Sequence, residues 1–246
     1  MAMNIEQRPA AHVVVVGASS GIGLSLVNHL LDAGYVVTAL SRKQLPQSAS
    51  GHPNFACIAF ESVRDVNELV KSVKVRCREI GGLDGLVLNS GVISVQPISF
   101  VSRESLMEMI EVNLLFHVGL VRGLLSNLIK RKGSIVYVSS SAVKFASEGR
   151  AAYSASKAAA EAYFLTLGRE LGRVGVRSNV VRPGLTETQL MTTSTSDDGK
   201  QSYIDSSALG RVLRPDEVAK TIGWLISSES DGVTCQKISV DGGGRI

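Results

Sequence analysis

The stretch VVVVGASSGIG, Val13 to Gly23, runs from four consecutive valines into a turn with three glycines. An unbroken apolar run of this length reads as a strand buried on both faces. Leu24 to Leu31 then reads as a helix, with Gly34 marking its end. Gly17, Gly21 and Gly23 form G-x-x-x-G-x-G between strand and helix. Glycines there allow a tight turn and let a pyrophosphate approach the backbone N–H groups at the helix N-terminus. Ser19 and Ser20 add hydroxyl donors. The spacing differs from G-x-G-x-x-G, and no phosphate-loop Gly-Lys-Ser/Thr follows. A purely structural turn competes with dinucleotide binding, and placement after the first strand favours the dinucleotide.

The same alternation continues outward. YVVTALS, NFACIAF, GLDGLVLNSGV, GSIVYVSS, VRSNVVRPG and QKISVDGG read as further strands. Val66 to Ile80, Arg103 to Ile129, Tyr153 to Leu171 and Glu217 to Ile226 read as helices, the second bent near Gly119. Strands alternating with helices at this spacing predict an α/β fold: a doubly wound, Rossmann-like parallel sheet with helices on both faces. No linker or composition break divides it, so residues 11–246 read as one domain behind a flexible tail over 1–10. The polar, irregular region from about 185 to 215 reads as a substrate lid.

Composition narrows the function. With 246 residues, 44% hydrophobic and 20% charged, the chain can bury a sizeable core. The net charge of +4 favours an anionic ligand slightly, but no Lys/Arg block or basic–aromatic interleaving points to nucleic acid. Three widely spaced cysteines, Cys57, Cys77 and Cys235, fit a reducing compartment and offer no metal-ligand pattern, and the four histidines are scattered. The first eleven residues lack the apolar core of a signal peptide, and no apolar run reads as a membrane span. A cytoplasmic location is expected, with no metal, membrane or nucleic-acid partner.

At the end of the second strand stand Ser41, Arg42 and Lys43. An acid at this place would accept hydrogen bonds from the adenosine ribose, whereas Arg42 can grip a ribose phosphate and Ser41 leaves room for it. These residues favour NADP over NAD. Tyr153 and Lys157 share one helix face a turn apart. A phenol ordinarily titrates near about 10, and a nearby ammonium lowers that value, which would make Tyr153 an acid for reduction and a base for oxidation. Gly17, Asn89, Ser140 and Gly184 all fall at carboxyl ends of strands, where ligands of parallel sheets bind. A serine there would donate to a carbonyl oxygen. Three adjacent ones, Ser139 to Ser141, compete for that role.

The chain resembles the short-chain dehydrogenase/reductase family from about Ala11 onward, most closely its compact ketoreductase-like branch of 3-oxoacyl-ACP-reductase type. The resemblance rests on VVGASSGIG, LNSG (Leu88 to Gly91), VNL (Val112 to Leu114), VSSS followed by YSASK, RPGLTET and ISVDGG. It implies a catalytic tetrad of Asn113, Ser140, Tyr153 and Lys157, with Ser140 thirteen residues before the tyrosine. Strand alternation then leaves Ser139 and Ser141 to packing. The resemblance also implies that Asn113 interrupts its helix and holds a water near Lys157, which would bind ribose hydroxyls. It places Ile22 at the glycine turn, Asn89 and Gly91 beside adenosine, and Glu61 near adenine. Pro183, Gly184 and Thr188 would lie near nicotinamide, Thr188 bonding its carboxamide or a cofactor phosphate. Val16, Leu88, Ser90 and Cys235 depart from the family's common residues. A homodimer or homotetramer is implied as well.

The expected substrate is a medium-sized carbonyl compound or its alcohol, partly apolar or cyclic, facing Ile93, Val95, Ala142, Val143, Phe145, Leu190 and Met191. Lys144, Glu148 and Arg150 are rim candidates. Reduction with NADPH is the leading reading. An NAD-linked alcohol dehydrogenase and a non-catalytic nucleotide sensor are the alternatives.

Overall fold

A computed structural model describes residues 10–42, 51–145 and 147–244. Residues 1–9 of the expected tail, and Lys43, lie outside the described residues. The strands are β1 (His12–Val16), β2 (Val36–Ser41), β3 (Phe55–Ala59), β4 (Gly85–Leu88), β5 (Ser134–Val138), β6 (Arg177–Pro183) and β7 (Lys237–Val240). They form one seven-stranded parallel sheet in the order β3-β2-β1-β4-β5-β6-β7. β1 pairs with both β2 and β4, and the chain winds outward from it in opposite directions. The crevice that such a reversal opens lies at the carboxyl ends of β1 and β4, directly before Gly17 and Asn89.

The helices are α1 (Gly21–Asp32), α2 (Val66–Ile80), α3 (Arg103–Ile110), α4 (Phe116–Arg131), α5 (Ala151–Leu171), α6 (Gln189–Ser194), α7 (Asp197–Ser206) and α8 (Pro215–Ile226). They cover both faces, as the period-two alternation of the central strands requires. Val14 and Val16 join Leu69, Val73, Phe116, Leu120 and Phe164 in the core under α2, α4 and α5. Val13 and Val15 join Leu26, Leu30, Val218 and Ile222 in the core under α1 and α8. β1 has no outward-facing side, which is why it reads as an unbroken run of valines.

Two expectations change. The helical run from Arg103 is interrupted ahead of Gly119, which itself lies inside a continuous α-helix. A π-helical segment, Glu111–Leu115, separates α3 from α4 and contains Asn113. Gly119 and Gly123 instead let α2 pack closely, because a Cβ on either would stand 2.9 Å from Val66 Cγ2 or 2.5 Å from Val70 Cγ2. Second, the run Arg103–Arg131 is long and apolar enough to cross a membrane by length and composition, although no such run stood out in the sequence. Phe116, Leu120, Leu124 and Leu128 turn one side of it into the sheet core.

The irregular region of 185–215 also holds more helix than its polarity predicts. Ser196 caps α7 by accepting from the Gly199 N–H, and Asp197 and Asp198 sit in its first turn, where acids favour the helix dipole. The base of the segment is pinned: Thr186 and Leu213 form an isolated parallel bridge.

Candidate active site

The glycine turn is built by backbone constraints. Gly17 (φ +77°) and Gly21 (φ +53°) occupy the left-handed region that glycine adopts without strain. A Cβ on Gly23 would lie 2.1 Å from Gly17 O, so helix and turn approach as only glycine permits. Asn89 Nδ2 donates to Gly17 O at 2.9 Å and ties the ends of β1 and β4 together. Ser20 N-caps α1 without a side-chain capping bond, and the first turn of α1 carries no acid. The N–H groups there are therefore disposed to receive anionic oxygens, as a dinucleotide pyrophosphate requires. Ser19 and Ile22 are half-buried, Ser20 is exposed, and Ile22 packs against the core under α1.

At the end of β2, Ser41 is buried and Arg42 is exposed. Glu61 is exposed beyond β3. Across the crevice, Thr188 caps α6 by accepting from the Met191 N–H at 3.2 Å. Its methyl would stand 2.8 Å from a Cβ on Gly21, so the segment after β6 reaches back to the glycine turn. A cleft of about 450 Å³ lies between them, lined by Gly21, Leu24, Ser25, Thr188, Met191 and Pro215 among others. That cleft adjoins the glycine turn and does not reach Tyr153. Pro183 ends β6, and Gly184 makes room for Tyr203 of α7, whose hydroxyl donates to Asp241 O at 2.6 Å.

Asn113, Ser140, Tyr153 and Lys157 converge from three elements. Tyr153 and Lys157 occupy one face of α5, 6% and 3% exposed. Ser140 follows β5, its Oγ accepts from Ala142 N–H at 3.2 Å, and its hydroxyl pulls the Tyr153 phenol down. Gly91 brings the loop after β4 against the group: a Cβ there would be 3.1 Å from Asn113 Oδ1 and 3.2 Å from Lys157 Nζ. The π-helical segment matters because its i→i+5 pattern shifts the local register. The Asn113 side chain braces the loop, Oδ1 accepting from Val92 N–H at 2.9 Å and Nδ2 donating to Val92 O at 3.0 Å and Ser156 Oγ at 2.9 Å. Its backbone carbonyl accepts from Tyr137 OH at 2.9 Å.

The electrostatics correct one expectation. Burial raises the Tyr153 phenol above its ordinary value, while the Ser140 bond and the Arg150 cation pull it down. The lysine does not lower it in this arrangement, because Lys157 Nζ donates to Val138 O at 2.8 Å and stands 4.9 Å from the Tyr137 ring centre. Burial also drives Lys157 down to about 7, against the opposing pull of Glu161. Tyr153 and Lys157 are thus both held toward their neutral forms by desolvation.

Three further groups were not picked out from the sequence. Ser90 Oγ lies 2.8 Å from His117 Nε2, and burial followed by the Lys157 charge drives His117 down to about 3. His117 sits one turn after Asn113, a spacing that is visible but has no meaning until the fold closes. Tyr137 braces Asn113 from β5. Glu161, one turn past Lys157, accepts from Ser139 Oγ at 2.7 Å and from Arg182 Nε at 2.7 Å. Of the rim candidates, Lys144 and Glu148 are exposed, whereas Arg150 donates to Ser194 O at 3.2 Å and Thr195 Oγ1 at 3.1 Å. No cluster of potential metal ligands occurs among the described residues.

A family model described as enoyl-(acyl carrier protein) reductase matches residues 17–244. The chain belongs to the short-chain dehydrogenase/reductase superfamily, whose Rossmann-like members bind NAD or NADP and catalyse oxidoreduction. Among curated proteins, it is 32% identical to 2,3-dihydro-2,3-dihydroxybenzoate dehydrogenase of Escherichia coli, covering 96% of this chain and 97% of the relative. It is also 32% identical to 3-oxoacyl-(acyl-carrier-protein) reductase FabG of Thermotoga maritima, covering 94% and 96%. Aldohexose dehydrogenase of Thermoplasma acidophilum superposes with a TM-score of 0.84 at 25% identity, covering 95% and 93%. The ketoreductase-like branch is not singled out among these relatives.

Proposed function

We propose that the protein is an NADP(H)-linked oxidoreductase that interconverts a ketone and a secondary alcohol, with reduction as its working direction. The observation that carries this reading is the convergence of Ser140, Tyr153 and Lys157 beside Gly91, at the carboxyl ends of β4 and β5. Arg42 at the open end of β2 supports the phosphorylated cofactor, since an exposed guanidinium matches a ribose phosphate and no carboxylate stands beside it in sequence. The glycine turn and Ser20 would hold the pyrophosphate, with Asn89 bracing that turn. Ser41, Ile22, Glu61, Pro183, Gly184 and Thr188 would complete the cradle. The nicotinamide supplies or accepts the hydride when bound.

The chain's own residues do the rest. Ser140 donates to the carbonyl oxygen and sets it against the Tyr153 phenol. Tyr153 delivers a proton to that oxygen as charge grows there, and takes it back in oxidation. The phenol's raised value keeps it protonated, which suits the acid role. Lys157, anchored on Val138 O, is held for ribose contact. Asn113 fixes the loop at Val92 and the π-segment behind Lys157. Residues 185–213, pinned at Thr186 and Leu213, act as the lid, with Arg150 fastening it to α5. A homo-oligomer in the cytoplasm completes the proposal.

The curated dehydrogenase relative gives one observation in favour of oxidising a cyclic alcohol instead. Both directions use the same tetrad. The deciding experiment follows NADPH consumption over a panel of cyclic and acyclic ketones, with Tyr153→Phe as control. Turnover should fall by about 100-fold or more while NADPH fluorescence still reports binding. Unchanged turnover would remove Tyr153 from the chemistry.

A further inference from the structure

Three consecutive residues at the end of β5 each grip one face of α5. Val138 O accepts from Lys157 Nζ at 2.8 Å. Ser139 Oγ donates to Glu161 Oε1 at 2.7 Å. The Ser140 hydroxyl acts on the Tyr153 phenol, pulling its value down. Tyr153, Lys157 and Glu161 follow one another at intervals of four, so they form one stripe along the helix. Strand β6 closes the arrangement: Arg182 Nε donates to Glu161 Oε1 at 2.7 Å and Nη2 donates to Oε2, a fork-to-fork pair. Ser139 N–H also donates to Val181 O at 2.8 Å, one residue before that arginine.

Glu161 is only 3% exposed, and the Arg182 side chain 15%. A buried carboxylate and guanidinium are expensive to desolvate, and apolar residues of similar volume would often hold helix to sheet as well. Their placement against a lysine 3% exposed therefore points beyond packing. The groups that face Lys157 are few. Tyr153 and Glu161 share its helix, the Tyr137 ring lies 4.9 Å away on β5, and His117 faces it from α4, held neutral by burial. Arg182 on β6 reaches the cluster through Glu161. Among these, Glu161 is the one carboxylate, and its pull opposes the burial that drives Lys157 down to about 7.

We infer that Glu161, fastened by Ser139 and Arg182, is a positioning residue that supplies the counter-charge for the Lys157 ammonium and holds Ser140 in register with Tyr153. This rests on the reading of the α5 stripe as the reacting centre, and it adds three side chains, Glu161, Ser139 and Arg182, to what that stripe needs. Ser139 is thereby given a role of its own: it does not meet substrate but fastens the carboxylate whose charge opposes the desolvation of the lysine.

The test titrates the full chain by NMR with lysine labelled at the ε position, the Lys157 signal assigned by its loss in Lys157→Met. Glu161→Gln keeps the side-chain shape and removes the charge; the Lys157 midpoint should fall by about one pH unit or more. Arg182→Gln removes the cation that competes for Glu161, and the midpoint should rise. A rise in both variants would mean general loosening of the core, because entering water relieves the desolvation that lowers Lys157, and an unmoved midpoint in Glu161→Gln would mean a purely structural pair; either overturns the inference. If Glu161→Gln does not fold, Arg182→Gln decides alone, with an unchanged or lowered midpoint counting against it. NADPH binding by the wild-type chain is measured alongside by fluorescence. Its absence would overturn the oxidoreductase reading while leaving the lysine titration, and so the role of Glu161, separately readable.

Discussion

Arg42 and Lys157 are cations with opposite environments, one exposed at a strand end and the other almost fully buried. Arg42 pays little for its charge in water, so its value to the protein would lie in what it recognises. Replacing it with Asp should reverse the preference between NADPH and NADH, by roughly 10-fold or more in the ratio of kcat/KM values, because an attractive contact of about 1–3 kcal/mol becomes a repulsive one. Lys157 carries the reverse balance. Its folded value of about 7 lies below the ordinary lysine value of 10.5. Between these limits the unfolded chain binds more protons than the folded one, so stability rises with pH across that window. Below the folded value, the buried ammonium costs stability in full. Lys157→Met should therefore raise the urea midpoint at neutral pH, by about 1–3 kcal/mol in stability, while abolishing turnover. A lower midpoint would show that the Val138 contact outweighs desolvation.

Elements show why single motifs were legible while their partners were not. The strand–turn–helix of β1 and α1 is dictated locally: buried valines, two glycines in the left-handed region and a third beneath a carbonyl. Gly23→Ala should cost about 2–3 kcal/mol in denaturant stability and weaken NADPH binding, since the added Cβ meets backbone rather than a movable side chain. The π-segment is different. Nothing in EVNLL distinguishes it from α-helix by propensity, and Asn113 was singled out through the family resemblance rather than its own chemistry. Val92, Ser156 and Tyr137 then hold it from a loop, a helix and a strand. Cys235 makes the same point: its φ of +57° lies in the left-handed region that glycine favours, and nothing in the neighbouring sequence marks it.

At the scale of the whole molecule, the two buried histidines set an acid limit. His117 is pushed down to about 3 and His12 is lowered too, both chiefly by burial. The unfolded chain takes up these protons as pH falls through the ordinary histidine value of 6.5, and the folded chain does not. Stability present above pH 6.5 is thus lost progressively toward about pH 3. His117→Gln should flatten that decline in urea midpoint measured from neutral to acid pH. An identical slope would locate the acid sensitivity elsewhere.

Sequence by itself determined the alternation of strands and helices, the buried first strand, the glycine turn, and the spacing of Tyr153 and Lys157. Each of these depends on neighbours along the chain: a period of two, a period near four, or a backbone angle only glycine adopts freely. Tertiary structure alone decided what surrounds them. Ser139 became the tether of Glu161, and Arg182 closed on the same carboxylate from another strand. The expected depression of the Tyr153 phenol gave way to a rise, because desolvation depends on what covers a group and Lys157 had turned to a carbonyl across the sheet. Charge and burial act through space, and no spacing in the chain records which residues folding will bring within a few ångströms.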